Sequence, residues 1–461
     1  MLFKLSALQI FHYPQEFSLE CGQVLPEIQL AYHTFGTLNA AADNVVWICH
    51  ALTGNSDVTD WWNGLVGEGK LLDTRQYFIV CANVLGSAYG STSALSMNPL
   101  TGEPYYQDFP LITIRDVVGS LDLLRQHLGL TRIRMLVGGS LGGQQALEWA
   151  IQQPDLFKQL ILIATNARMS PWGIAFNESQ RMAIEADQTW QERRADAGLQ
   201  GMKAARATAL LSYRSAVMYE FTQAREESAL EHFRASSYQR YQGEKIAKRF
   251  NAFSYYTLSQ MMDSHDVGRN RGGAMSALNQ IKAQTLIIGI QSDVLFPVEE
   301  QRFLARYIPN AELTEIDSLY GHDGFLVENE LMTKTIRTWE LSNQLGALEE
   351  EEELIIRDRV QVDVRKGVRE YIAVDNISFL ALPYTIHLIN GHRIESDALL
   401  EKVSQALQEN YDFAQLTQEL PHILANLRHI RSFDATTQRI YLSDGRSQTL
   451  PPKFPLKSLD S

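Results

Sequence analysis

Ile133-Arg134-Met135-Leu136-Val137-Gly138-Gly139-Ser140-Leu141-Gly142-Gly143 runs from a short apolar segment into four glycines that bracket one serine. The apolar part reads as a buried strand and residues 144–152, which follow, as a helix. A serine at a strand-to-helix turn within G-x-S-x-G sits on a sharp, strained corner with its hydroxyl exposed. The flanking positions must be glycine, because a Cβ would clash in so tight a turn. The helix start directs free N–H groups and the positive end of its dipole toward the serine, where a developing oxyanion would be stabilised. The rival reading is a glycine-rich phosphate loop. Against it, the stretch has neither the Gly-Lys-Ser/Thr ending of a P-loop nor G-x-G-x-x-G spacing.

Working outward, similar apolar runs recur at 45–49, 77–81, 160–164, 285–290 and 311–316, and each reads as a strand. Residues 114–128 carry apolar side chains at helical spacing. Strand and helix in alternation predict an α/β fold with a mainly parallel sheet. The alternation breaks at about 167–281, a stretch rich in Ala, Arg, Glu, Gln and Met. It is too long for a loop and reads as a helical lid inserted over one end of the sheet.

Five consecutive acidic residues, Glu349 to Glu353, read as a solvated linker. They divide a domain of residues 1–348 from a small α+β domain of residues 354–461. In the latter, 354–364, 371–382 and 439–442 read as strands, and 397–409 and 412–427 as helices. It holds no recognisable chemical motif.

A chain of 461 residues suits about three domain-sized units, or one large domain with additions. With 45% hydrophobic and 21% charged residues it is neither disordered, collagen-like nor a coiled-coil rod. A formal net charge of −13 argues against a nucleic-acid partner. No apolar run approaches the ~20 residues that cross a bilayer, so no membrane association is expected. Cys21, Cys49 and Cys81 are odd in number and scattered, without zinc-ligand spacing or the density of a disulfide scaffold. The first eleven residues lack the layout of a signal peptide, which makes the cytoplasm the expected compartment. No metal and no tightly bound cofactor is implied.

A serine nucleophile needs a base, and the base an orienting carboxylate. The acid candidate is Asp293, in Gln291-Ser292-Asp293-Val294-Leu295-Phe296-Pro297, just past the carboxyl end of an expected buried strand. Active-site residues of open α/β sheets gather there. The base candidate is His322, in Tyr320-Gly321-His322-Asp323-Gly324-Phe325, in a glycine-flanked loop after the next strand. His50 and His265 are rivals for the base, but His50 precedes the serine and His265 lies inside the expected lid. An oxyanion hole would use the backbone N–H of Leu141, and a second N–H from the loop that follows the strand at 45–49.

The motifs extend well beyond the serine turn. They include Ala31-Tyr32-His33-Thr34-Phe35-Gly36-Thr37-Leu38-Asn39, His50-Ala51-Leu52-Thr53-Gly54, Asp60-Trp61-Trp62, Asn83-Val84-Leu85-Gly86 and Asp108-Phe109-Pro110. Tyr213-Arg214-Ser215, Tyr241-Gln242-Gly243-Glu244-Lys245 and Gly321-His322-Asp323-Gly324-Phe325-Leu326 complete the set. Over about residues 5–342 the chain resembles homoserine O-acetyltransferases, acyltransferases of methionine biosynthesis with the α/β-hydrolase fold. The resemblance implies a ping-pong mechanism with acetyl-CoA as co-substrate and L-homoserine as acceptor. Ser140 would be acylated with the help of His322 and Asp293, and the N–H groups of Leu52 and Leu141 would hold the oxyanion. Asp323 would hold the homoserine amine and Arg214 its carboxylate, a pairing that suits the bidentate guanidinium. A homodimer is likewise implied. Residues 87–95 depart from the family pattern, which leaves succinyl-CoA and L-serine open as donor and acceptor. A serine esterase is the alternative of a different class.

Overall fold

The computed structural model describes residues 7–224 and 231–345, and in the remainder a set of separate strands. The chain divides into two units, Met1–Ile336 and Arg337–Ser461.

The first unit is built on an eight-stranded sheet. Its strands are β1 (Gln9–Tyr13), β2 (Ile28–Phe35), β3 (Val45–Cys49), β4 (Phe78–Ala82), β5 (Ile133–Gly139), β6 (Phe157–Ile163), β7 (Gln284–Ile290) and β8 (Ala311–Ile316). They lie in the order β1-β2-β4-β3-β5-β6-β7-β8. β1 and β2 pair antiparallel, as do β2 and β4; every other pair is parallel. β3 is buried along its whole length and β7 along all but its first residue. That is why both appear in the sequence as unbroken apolar runs. β1 and β2 were not among the expected strands. β1 is mostly exposed or half-buried, and β2 mixes Gln, Tyr, His and Thr among its apolar residues.

Between the strands, α1 (Ile114–His127) starts at a capping box of Thr113 and Asp116. Each satisfies a backbone N–H of the other, which fixes the helix start. α2 (Leu141–Gln152) begins at the serine turn and has no side-chain cap. After β6 come six helices, namely α3 (Pro171–Glu185), α4 (Leu199–Tyr213), α5 (Ala216–Gln223), α6 (Arg234–Ala247), α7 (Ala252–Asp263) and α8 (Ala274–Leu278). The described part of the expected insertion is therefore helical. Its ends meet at a neck, where Val267 N–H donates to Ala167 O at 3.0 Å and Met169 N–H to His265 O at 3.0 Å. Within it, the buried Arg181 of α3 pairs with Asp263 of α7 at 2.5 Å. Beyond β7 lie α9 (Val298–Tyr307) and, after β8, α10 (Asn329–Leu345).

In the second unit the described residues beyond the end of α10 are strands, among them Arg359–Val364, Val368–Ala373, Ile377–Ala381 and Arg439–Leu442. The expected helix at 412–427 is overturned. Phe413–Gln415 and Ile423–Asn426 form an antiparallel pair, with Ala414 opposite Ala425. Pro421 stands in the middle of that stretch and would break a helix. A run as short as Ile423-Leu424-Ala425 fits a strand as well as a helix turn. The expected helix at 397–409 and the acidic linker lie outside the described residues.

Candidate active site

Ser140 is the residue on which β5 becomes α2. Its backbone has φ 57° and ψ −126°, a region L-residues rarely occupy. Such strain persists only where the surroundings hold it. Here Ser140 N–H donates to Ile163 O at 2.9 Å, and Thr165 Oγ1–H donates to Ser140 O at 2.9 Å. The four glycines explain the rest of the turn. A Cβ on Gly138 would lie 2.1 Å from Gly142 O, and one on Gly139 2.7 Å from the Phe325 ring. One on Gly142 would lie 2.0 Å from Cys49 O, and one on Gly143 2.5 Å from Thr165 Cβ. The glycines therefore bring the helix start against the end of β3, and Phe325 against the serine turn.

Asp293 follows β7 and His322 follows β8. Although 182 residues separate His322 from Ser140, its Nε2 lies 2.8 Å from Ser140 Oγ. Its Nδ1 lies 2.6 Å from Asp293 Oδ2. All three residues are buried. Asp293 is held in turn, since its Oδ1 accepts the N–H groups of Leu295 at 2.8 Å and Phe296 at 2.9 Å. The imidazole is ringed by Tyr213, Phe296 and Phe325, with ring centroids 5.9, 5.2 and 5.5 Å away. Burial alone would disfavour its cation. The charge and hydrogen bond of Asp293, with the charge of Asp323 behind them, outweigh burial and hold its pKa above the ordinary histidine value. This geometry can take a proton from the serine hydroxyl and stabilise the resulting imidazolium.

The two rival histidines are elsewhere. His265 is buried at the insertion neck, its Nε2 3.1 Å from Asn166 O. His50 is buried beside the serine turn, with both ring nitrogens facing backbone groups. Burial lowers both pKa values to about 4, so neither is charged near neutrality.

Arg214 and Asp323, expected to bind opposite ends of an amino acid, face each other. Arg214 Nε lies 2.8 Å from Asp323 Oδ2, and both side chains are largely buried. Arg214 ends α4, and its backbone packs against Gly321, whose φ of +65° and lack of a Cβ permit the approach. Ser215 Oγ–H donates to Leu319 O and ties the same turn to the His322 loop. A residue of the helical insertion is thus fixed one position away from the base.

Leu141 is the first residue of α2, where an N–H has no partner within its own helix. Leu52 lies in the loop after β3, against which Gly142 closes. One contact to this loop had no signal in the sequence. Arg249, between α6 and α7, donates to Thr53 O at 2.6 Å and to the Tyr89 hydroxyl. An isolated arginine 196 positions away in the chain carries no periodicity that could reveal it. Among the described residues, no helix is long and apolar enough to cross a membrane.

A family model described as the alpha/beta hydrolase fold matches residues 44–329. A homoserine O-acetyltransferase of Cyclobacterium marinum is 50% identical over 335 residues, covering 73% of this chain and 95% of the relative. The crystal structure of a homoserine O-acetyltransferase from Bacillus anthracis is 25% identical with a TM-score of 0.69, covering 72% of this chain and 97% of that one. An acetylester hydrolase from Corynebacterium glutamicum is 26% identical with a TM-score of 0.62, covering 69% and 90%. The fold is thus shared with hydrolases, whereas identity at the level of one residue in two, over nearly the whole of the relative, is reached with the acyltransferase. The chain belongs to the homoserine O-acetyltransferase family of the alpha/beta hydrolase fold.

Proposed function

We propose that this protein transfers an acetyl group from acetyl-CoA to the hydroxyl of L-homoserine through an acetyl-serine on Ser140. The observation that carries the reading is the hydrogen-bonded chain Ser140–His322–Asp293 with the Arg214–Asp323 pair beside it. In the first half-reaction His322 Nε2 takes the Ser140 proton as Oγ attacks the thioester carbonyl. The N–H groups of Leu52 and Leu141 hold the oxyanion. Collapse breaks the C–S bond, and the His322 proton leaves with CoA. In the second half, His322 takes the proton of the homoserine hydroxyl, whose oxygen attacks the acetyl-serine carbonyl. Collapse returns the proton to Ser140. Asp323 holds the ammonium of the acceptor and Arg214 its carboxylate. The helices of residues 167–281 serve as a lid that excludes water, which would otherwise hydrolyse the acyl-enzyme. Residues 354–461 form a small appended unit beyond an acidic linker at 349–353. A cytoplasmic homodimer completes the reading.

The test is CoA release from acetyl-CoA, followed with a thiol reagent, with and without L-homoserine. L-Serine and succinyl-CoA run as parallel arms. Release that depends on homoserine is the expected result. Release indifferent to any amino acid would make the protein a hydrolase and overturn the reading.

Two substitutions separate the substrate pair from the acyl chemistry. Arg214→Ala is expected to lower kcat/KM for homoserine by about 10- to 100-fold, the range for losing a charged hydrogen bond. Acetylation of Ser140 by acetyl-CoA should proceed. Asp323→Asn removes one of the charges that raise the His322 pKa. The base works only when neutral, so activity rises with pH through that pKa. The acid limb of kcat/KM for acetyl-CoA is therefore expected to move to lower pH in Asp323→Asn. An unmoved limb would separate Asp323 from the base.

A further inference from the structure

His50 stands directly after β3 with no exposed surface, and the chemistry above does not use it. A buried imidazole must satisfy both ring nitrogens. Val84 N–H points at Nε2, 3.2 Å away. An N–H can only donate, so Nε2 carries the lone pair and the ring proton sits on Nδ1. Nδ1 lies 2.8 Å from Ala51 O and therefore donates to it. The same carbonyl accepts Gly54 N–H at 2.9 Å. Ala51 C=O and Leu52 N–H are the two ends of one planar trans peptide and point in opposite directions. Whatever fixes the carbonyl fixes the N–H.

We propose that His50 is a positioning residue. Its Nδ1–H locks the plane of the Ala51–Leu52 peptide and so holds the Leu52 N–H on the oxyanion. The proposal rests on the reading of Leu52 N–H as an oxyanion donor given above. A second link supports it. The His50 carbonyl accepts Gln145 Nε2 at 3.1 Å, and the same amide donates to Leu141 O at 3.2 Å. The loop that carries one donor is thereby tied to the helix turn that carries the other. Because burial keeps the imidazole neutral, with a pKa of about 4, this arrangement is unaltered across the working pH of the base.

The two ring nitrogens can be replaced one at a time. An asparagine amide reaches about as far as Nδ1, so His50→Asn keeps a donor for Ala51 O and loses the acceptor for Val84. A glutamine amide reaches about as far as Nε2, so His50→Gln can meet Val84 and loses the donor. The experiment measures kcat and KM for acetyl-CoA-dependent CoA release in the wild type, His50→Asn, His50→Gln and His50→Ala. It adds hydrolysis of p-nitrophenyl acetate and a thermal melt for each. In the glutamine and alanine variants kcat is expected to fall by about 100-fold, the size of a misplaced oxyanion donor. In His50→Asn it should fall by less than about tenfold. KM should hold in all, and the ranking should not follow the melting temperatures. If His50→Asn is as slow as His50→Gln, or if activity tracks melting temperature, His50 merely packs the loop and the proposal falls. A wild type inert toward acetyl-CoA, with the same ranking on p-nitrophenyl acetate, would overturn the donor reading and leave the role of His50 standing.

Discussion

Ser140→Ala is expected to lower the acetyl-CoA-dependent rate by about six orders of magnitude, the loss that follows removal of a serine nucleophile from such a triad. The folded state should barely notice. The only described hydrogen bond of the hydroxyl is the one to His322, while the strained turn is held through the backbone, by Ile163 O and Thr165 Oγ1. Alanine at φ 57° is no more strained than serine, so the melting temperature should stay within a few degrees. Two readouts check this. CoA release should vanish, and intact-protein mass after mixing with acetyl-CoA alone should show an acetyl adduct on the wild type and none on the variant. An adduct that persists on Ser140→Ala would place the nucleophile elsewhere.

Asp293→Asn should also cost orders of magnitude, though fewer, and for a different reason. The Oδ1 position faces two N–H donors, those of Leu295 and Phe296. An asparagine must turn its carbonyl oxygen toward them, which leaves its NH2 facing His322 Nδ1. That nitrogen must then accept, the ring proton moves to Nε2, and the imidazole presents a donor to Ser140 where an acceptor is needed. A drop of about four orders of magnitude in kcat is expected from this wrong tautomer. The pH profile carries an independent mark. Asp293 supplies the largest influence that raises the His322 pKa against burial. Without that charge burial prevails, and the residual activity should have its acid limb at lower pH than the wild type. A variant of normal rate and unmoved limb would remove Asp293 from the site.

The centre of the sheet was legible because physics writes it plainly. Strands such as β3 and β7, buried on both faces, have no choice but continuous apolar sequence. The serine turn was legible because glycine is forced wherever backbone meets backbone, as where Gly142 meets Cys49 O. Asp293 and His322 could be found by their place after successive strands, with no need to know the distance between them. The outer strands β1 and β2 carry mixed sequence and gave no such signal. Around residues 412–427 apolar spacing pointed to a helix, and Pro421 was the warning that outweighed it. What no local pattern encodes is how parts far apart in the chain meet. The closing of Arg214 onto Asp323, the reach of Arg249 to Thr53 and the approach of Val84 N–H to the His50 ring are all contacts between segments apart in the chain.

The ion pair between Arg214 and Asp323 also bears on selectivity. The two side chains neutralise each other at 2.8 Å. On the proposed reading, in which this pair holds the acceptor, a ligand enters by exchange, and each of its charges must replace the one it displaces. A zwitterion brings both replacements at once and leaves the local charge balance unchanged. An alcohol with only an amine, or only a carboxylate, would part the pair and strand one member without a counter-ion in a largely buried place, which is costly. A neutral alcohol would have nothing to trade. On that reading the ion pair acts as the ligand's competitor, and the handicap it sets is lightest for an amino acid.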